Sequence, residues 1–281
     1  MFCISEKAYQ MIFCFSGTGN SLAIAKELAL LTKDDICVCK NGTPTHNLKN
    51  ERILGLVFPV YAWGIPIYFE KFITGVLELN KEFRPEYTFL VCTCGDDIGK
   101  TDIFVEELLD KYQIALHAKY SIIMPNTYIA LPGFDVDSSE TTKEKLKAAK
   151  ERIRHIAISI VERKRVSDIH PGKFAWIKSY LLRPIFNKLL TSPRHFKVNK
   201  NKCIGCNICA KVCPTKNISM SSIHPSSPQW NNQCANCLAC YHHCPQHCIS
   251  YGKYSKGKGQ YLYKTSSIGI SHSDTGRESS I

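Results

Sequence analysis

The sequence predicts a doubly wound α/β domain, a parallel five-stranded sheet between helices, followed by a small α+β domain organised by cysteines. Three observations predict it. Residues 11–31 read as strand, glycine-rich turn and helix. Strand-like apolar runs then alternate with helical stripes to about residue 163, the pattern of a parallel sheet. Finally, eight of the 15 cysteines fall into two arrays that repeat at an offset of 31 residues.

Size and composition bound the alternatives. A chain of 281 residues with 44% hydrophobic content can bury a real core in one large or two smaller domains. An odd number of cysteines in a chain this long fits metal-binding thiolates in a reducing cytoplasm better than a disulfide scaffold. The first apolar run is broken by Gly17 and Gly19, so no secretory signal is expected there. The longest uncharged apolar run, residues 53–69, contains Gly55, Pro59, Gly64 and Pro66 and does not read as a membrane span. The formal charge of +12 points toward polyanions or acidic partners.

In chain order, residues 1–10 form an N-terminal extension without a convincing element. Translation starting at Met11 is an equal alternative to a short frayed extension. Residues 11–165 form the sheet domain. Met11 to Phe15 is a continuous apolar run, as a buried parallel strand requires. Further strands are expected at 36–39, 53–58, 88–93 and 120–124, with helices at 22–31, 65–77 and 103–112. Ser138 or Ser139 caps a long helix whose buried stripe is Leu146, Ala149, Ile153, Ile156 and Ile160.

The turn Ser16-Gly17-Thr18-Gly19-Asn20-Ser21 places backbone N–H groups at a helix N-terminus, where an anion binds. It lacks the lysine of a Walker loop, and Leu22 stands where a dinucleotide fingerprint needs a third glycine. It resembles the phosphate loop of flavodoxins, which implies FMN held by neutral dipoles from these six residues. In that strand order the ligand lies at the carboxyl ends of strands one and three. The loop after strand three holds Pro59, Tyr61, Trp63 and Gly64, with two aromatics suited to stacking on the flavin ring. The loop after strand four holds Cys94, Gly95, Asp96 and Asp97, whose backbone suits the flavin's polar edge. It has no second stacking aromatic, leaving one ring face open or covered by Tyr128. A ring stacked on one face only is expected to be easier to reduce fully. Cys14, Cys37, Cys39, Cys92 and Cys94 read as small buried hydrophobes on strands.

Residues 166–197 shift in composition and read as a basic amphipathic linker that docks the two domains, with peripheral membrane contact through 173–194 as the alternative. Residues 198–251 hold the arrays Cys203, Cys206, Cys209, Cys213 and Cys234, Cys237, Cys240, Cys244, each ending in Cys-Pro. Both match the C-x2-C-x2-C-x3-C-P run of bacterial ferredoxins. In such proteins the fourth cysteine ligates the other cluster, so Cys244 is expected with Cys203, Cys206 and Cys209, and Cys213 with Cys234, Cys237 and Cys240. Two clusters would add roughly −4 to the formal charge. Zinc fits three successive thiolates and a Cys-Pro poorly. Cys248 is read as packing beside a cluster. Residues 252–281 read as a mostly flexible tail with a Tyr261-Leu262-Tyr263 patch that can dock.

The whole arrangement resembles the flavodoxin–ferredoxin fusion proteins of the EFR1 family, over about residues 11–250. That resemblance implies an FMN-binding domain, a domain with two [4Fe–4S] clusters, and electron transfer between them. Redox protein partners, acidic ones included, are expected, and nucleic acid is not. The alternatives are an FMN-dependent oxidoreductase acting on a small acceptor such as a quinone or nitro compound, and a nucleic-acid-binding zinc protein.

Overall fold

The structure, a computed structural model, describes residues 10–40, 45–222 and 226–264. Its centre is a parallel sheet of β1 (Gln10–Cys14), β2 (Asp35–Val38), β3 (Ile53–Pro59), β4 (Tyr87–Cys94), β5 (Ala118–Ile123) and β6 (Val166–Asp168). The strand order is β2-β1-β3-β4-β5-β6, the doubly wound flavodoxin-type order with one strand added at the edge. The expectation of five strands is thus corrected to six. Val166-Ser-Asp168 is short and half polar, and pairs with Ala118–Tyr120 only at the rim, so it lacks the apolar run that marks the buried strands. It also moves the start of the expected linker into the sheet domain.

Helices cover both faces. α1 (Asn20–Thr32) and α4 (Ser139–Val161) pack with Ile12, Cys14, Val57 and Val91 in one core. α2 (Ile67–Leu79) and α3 (Thr101–Asp110) pack with Phe13, Phe15, Leu56 and Phe58 in the other. Side chains alternate along a strand, so consecutive residues of β1 feed opposite cores, and β1 must be apolar throughout. The N-cap of α4 is Ser138, whose side chain accepts from the Thr141 N–H at 3.1 Å. All five residues of its expected stripe are buried. The five strand cysteines are also buried. The expectation about the start at Met1 or Met11 lies largely outside the described residues.

The cysteine domain is a structural repeat. The first half runs β7 (Phe196–Val198), α6 (Ile208–Lys211), β8 (Ile218–Met220). The second runs β9 (Pro228–Trp230), α7 (Ala239–His242), β10 (Ile249–Tyr251). β7 pairs antiparallel with β10, and β8 with β9, so each half contributes to one two-stranded ribbon's closure with the other. The repeat extends to the backbone dihedrals. Gly205 and Asn236, Asn207 and Leu238, and Lys216 and His247 are related by 31 residues, and all six have positive φ. Phe196 stacks on Trp230 at 5.1 Å and meets Tyr251 edge-on at 4.6 Å in the domain's small core.

Between the domains, residues 169–195 do more than link. A π-helical segment (Ile177–Leu182) runs into α5 (Arg183–Leu190) and bonds to the sheet domain's loops. Residues 252–264, read as the start of a mostly flexible tail with a Tyr261-Leu262-Tyr263 patch that can dock, are held by hydrogen bonds to both domains. The Tyr241 hydroxyl donates to the Lys258 carbonyl at 2.8 Å, and the Lys258 ammonium donates to the Ile129 carbonyl at 3.0 Å. Residues 265–281 lie outside the described residues. Among the described residues no helix is long and apolar enough to cross a membrane.

Candidate functional site

A cleft of about 1280 Å³ opens at the carboxyl ends of β1, β3 and β4, where a doubly wound sheet places its ligand. Ser16, Gly17, Thr18, Asn20, Ser21, Pro59, Tyr61, Trp63, Cys94, Gly95, Asp96 and Asp97 all line it, so the three expected loops converge. Gly19 and Gly64 belong to the same loops without lining it.

The glycine-rich turn is built by its own bonds. Gly19, at φ 99°, is the N-cap of α1, and the Gly19 N–H donates to Ser16 Oγ at 3.1 Å. No side chain caps the first turn of α1, which leaves its N-terminal dipole for an anion. The side chains divide differently from expectation. Ser21 Oγ is buried against Thr93 Oγ1 at 2.8 Å, and the Asn20 amide donates to the Pro125 carbonyl at 3.0 Å. Those two side chains tie the turn to the sheet, leaving Ser16, Gly17 and Thr18 to line the cleft beside them.

The glycines have a further role. A Cβ on Gly17 would lie 2.6 Å from the Cys237 carbonyl oxygen and 3.2 Å from the Tyr61 hydroxyl. A Cβ on Gly19 would meet Tyr263 Cβ at 2.9 Å. The close approach they permit is to the cysteine domain and to the chain's docked end. The Tyr263 N–H donates to the Thr18 carbonyl at 2.9 Å, and the Tyr261 hydroxyl to Asn20 Oδ1 at 3.0 Å.

In the second loop, Tyr61 and Gly64 bond N–H to carbonyl in both directions around Ala62 (φ 47°) and Trp63 (φ 53°). Two non-glycine residues in the left-handed region cost about 1–3 kcal/mol each, so the surroundings must hold the turn. They do. Ser179 Oγ donates to the Trp63 carbonyl at 2.9 Å, the Arg183 guanidinium donates to the Ile65 carbonyl at 2.7 Å, and the Lys178 ammonium lies over the Trp63 ring at 5.8 Å. Arg183 also covers Gly64, where any side chain would collide with it.

In the third loop, the Cys94 thiol turns into the core. Burial pushes it up to about 12, with Asp97 and Asp96 adding. Asp97 pairs with Lys178 at 2.5 Å, and its other oxygen is buried with no partner among the described residues. The Tyr128 hydroxyl is likewise buried and unpaired, its ring packed on Phe134 and Phe186 in the same cleft. Sequence reading missed Ser179, Arg183 and Phe186, because a helix labelled as linker gives no signal of which face it applies to a site. It also missed Asn126, whose amide packs against Gly95.

The cysteines form two groups. Cys203, Cys206, Cys209, Cys244 and Cys248 line one small cavity. Burial raises the Cys209 thiol to about 11, and Cys206, Cys244 and Cys203 press the same way. Around the other group, burial raises Cys234 to about 11 with Cys213 adding, and Cys237 to about 12 with Cys234 and Cys213 adding. Cys240 is raised too, by burial and then by Cys237, with Cys234 and Cys213 contributing. Each group therefore contains three cysteines of one array and the fourth of the other. Crowded, half-buried thiols that oppose one another's ionisation form a donor set suited to a cationic core, which deprotonates its ligands. Among the described residues no three His, Cys, Asp or Glu side chains stand so as to hold a single metal ion. Equivalent N–H groups meet the crossing thiols: Asn217 N–H donates to Cys213 Sγ at 3.3 Å, and Cys248 N–H to Cys244 Sγ at 3.4 Å.

Residues 196–219 match the family model of the 4Fe-4S binding domain. That match spans β7, the first array and the start of β8. The second array repeats it in spacing, elements and dihedrals. None of the curated proteins matches the chain. Among solved structures, a protein from Bacteroides eggerthii described as a candidate flavoprotein is 12% identical, covering 50% of this chain and 97% of that one at a TM-score of 0.33. The Trp repressor binding protein from Bacillus subtilis is 11% identical, covering 56% of this chain and 99% of that one at a TM-score of 0.37. The fold assignment stands on strand order and register.

The 4Fe-4S match gives the geometry a direction. Cys206 is exposed beside Ile204, whereas Cys234 and Cys237 line the large cleft. One thiol group thus borders solvent and the other borders the cleft. The two domains also meet through the Tyr68 hydroxyl, which donates to the Pro214 carbonyl at 3.2 Å, and through His242, which pairs with the Thr127 carbonyl at 2.8 Å.

Proposed function

We propose that this chain is an electron-transfer protein that binds FMN in the large cleft and two [4Fe–4S] clusters on the crossed cysteine sets. The observation that carries the reading is the contact of Cys237 with Gly17: a thiolate loop of one domain forms the wall of the other domain's cleft. When bound, the clusters exchange single electrons and the flavin exchanges one or two.

The residues have separate tasks. Cys203, Cys206, Cys209 and Cys244 hold the outer cluster, with Cys206 at the surface available to an external partner. Cys234, Cys237, Cys240 and Cys213 hold the inner one against the cleft. Ser16, Thr18 and the N-terminus of α1 bind the FMN phosphate, and Trp63 and Tyr128 are the aromatic walls for the ring. Joining both sites in one chain replaces a collision with an internal step. The test is rapid mixing of the anaerobic holoprotein with a one-electron reductant. Flavin bleaching should follow cluster reduction in wild type and slow sharply in Cys213→Ser. Equal flavin reduction rates in both would refute the internal route.

A second reading has support from the cleft's size. Single-ligand pockets run to about 300–1000 Å³, and this one is larger, with Tyr128, Phe134 and Phe186 beside the flavin loops. An FMN-dependent reductase of a planar acceptor such as a quinone or nitro compound would use that room. Steady turnover of such an acceptor above the rate of free FMN would establish it.

A further inference from the structure

The segment from Phe174 to Leu189 is oriented against the usual rule. A surface helix normally buries its apolar stripe and exposes its polar one. Here the polar side is the attached side: Lys178 pairs with Asp97, Ser179 bonds to the Trp63 carbonyl and the Lys100 N–H, and Arg183 reaches the Ile65 carbonyl. The apolar side faces out. Phe174 is 73% exposed and Trp176 62%, and Tyr180, Leu181, Ile185 and Leu189 are exposed with them. Specific bonds to the cleft loops hold the segment this way round, so the outward face is not a helix that has failed to dock.

We propose that this face is a peripheral docking surface for a bilayer of anionic lipid. Its chemistry points there. Aromatic rings with one polar edge, Trp176 and Tyr180, suit the headgroup boundary, and Leu181, Ile185 and Leu189 suit the acyl layer beneath it. Lys188 is exposed on the segment, and Lys173 and Arg194 are exposed just beyond its two ends. The stretch from Ile169 to Ser273 contains fourteen Lys and Arg and no Asp or Glu at all, and the acidic side chains that face the segment, Asp97 and Glu70, act on its inward Lys178 and Arg183. Self-association through the same face would bring those cations against their own copies, whereas an anionic surface complements them. Phe186, Asn187 and Thr191 on the neighbouring side line the cleft, so docking would set the cleft rim at the bilayer.

The experiment is vesicle co-sedimentation of the full-length holoprotein at low salt, using phosphatidylglycerol-containing vesicles and pure phosphatidylcholine vesicles. Three cations at an anionic surface are worth on the order of a hundredfold in partitioning, so wild type should prefer the anionic vesicles by about that factor. The variant Lys173→Gln, Lys188→Gln, Arg194→Gln should lose most of the preference. The variant Trp176→Ser, Leu181→Ser, Leu189→Ser should lose binding while keeping its cofactor absorbance, because all three positions are exposed. Failure of wild type to bind the anionic vesicles would overturn the proposal. So would undiminished binding by the apolar variant, or a wild-type dimer that the same variant turns into a monomer.

Discussion

Gly17 and Cys237 are in van der Waals contact across the domain boundary, with room for hydrogen and nothing larger. The glycine-rich turn of one domain and a cysteine-array loop of the other therefore share one small volume. Because the nearest atom is a backbone oxygen, no side chain can rotate away to relieve a clash.

Gly17→Ala should push the domains apart. Overpacking against backbone costs about 1–3 kcal/mol, so melting should shift downward and protease should cut more readily between the domains. Unchanged melting and proteolysis would mean the contact is dispensable.

The docked end of the chain should retain the flavin. Ending the chain after Gln260 removes the Tyr261–Asn20 and Tyr263–Thr18 hydrogen bonds, each worth about 0.5–1.5 kcal/mol. Flavin release, followed by fluorescence recovery, should quicken by roughly tenfold. A chain ending after Lys264 keeps both bonds and should match wild type; equal release from both truncations would contradict the assignment.

The cysteine crossing makes a pairing prediction. Cys213→Ser should share its spectroscopic defect with Cys240→Ser, and Cys244→Ser should share its own with Cys209→Ser. EPR of the reduced proteins checks this, and a match of Cys213→Ser with Cys209→Ser would sink the crossing.

Asp34 gives a pH effect away from the cofactors. Burial raises its carboxyl from 3.8 to about 6, with Asp35 adding and a Thr32 hydrogen bond opposing. The folded state thus binds the proton more tightly than the unfolded one, and stability falls as pH rises from about 4 to about 6, then stays at the lower level. Asp34 is partly exposed, so solvent screening reduces the effect to roughly 1 kcal/mol. Asp34→Asn should be more stable than wild type at pH 7 and lose that advantage by pH 4 in denaturant titrations. A variant less stable at pH 7 would contradict the sign.

Local features were legible in the sequence and distant ones were not. The cysteine spacing and the strand–turn–helix at residues 11–31 are set by neighbours in the chain, and the structure has both. The buried stripe of α4 follows from a 3.6-residue period alone. β6 escaped because three half-polar residues at a sheet rim need no apolar run. Gly17 was read only as one of six turn residues toward a ligand, and its contact with Cys237 was not legible because the two lie 220 positions apart. Residues 252–264 look mobile by composition because they dock through backbone groups, tyrosine hydroxyls and Lys258, not through an apolar face. The polar, attached side of 177–190 was hidden for a similar reason, since amphipathicity says which faces differ and not which one faces in.

The measurement that bears most directly on the central claim is iron, inorganic sulfide, zinc and flavin quantified together in anaerobically purified full-length protein. Two clusters and one flavin require about eight irons, about eight sulfides and about one FMN per chain, with no stoichiometric zinc. Zinc in place of iron and sulfide, or a full iron count with no flavin retained, would contradict the account.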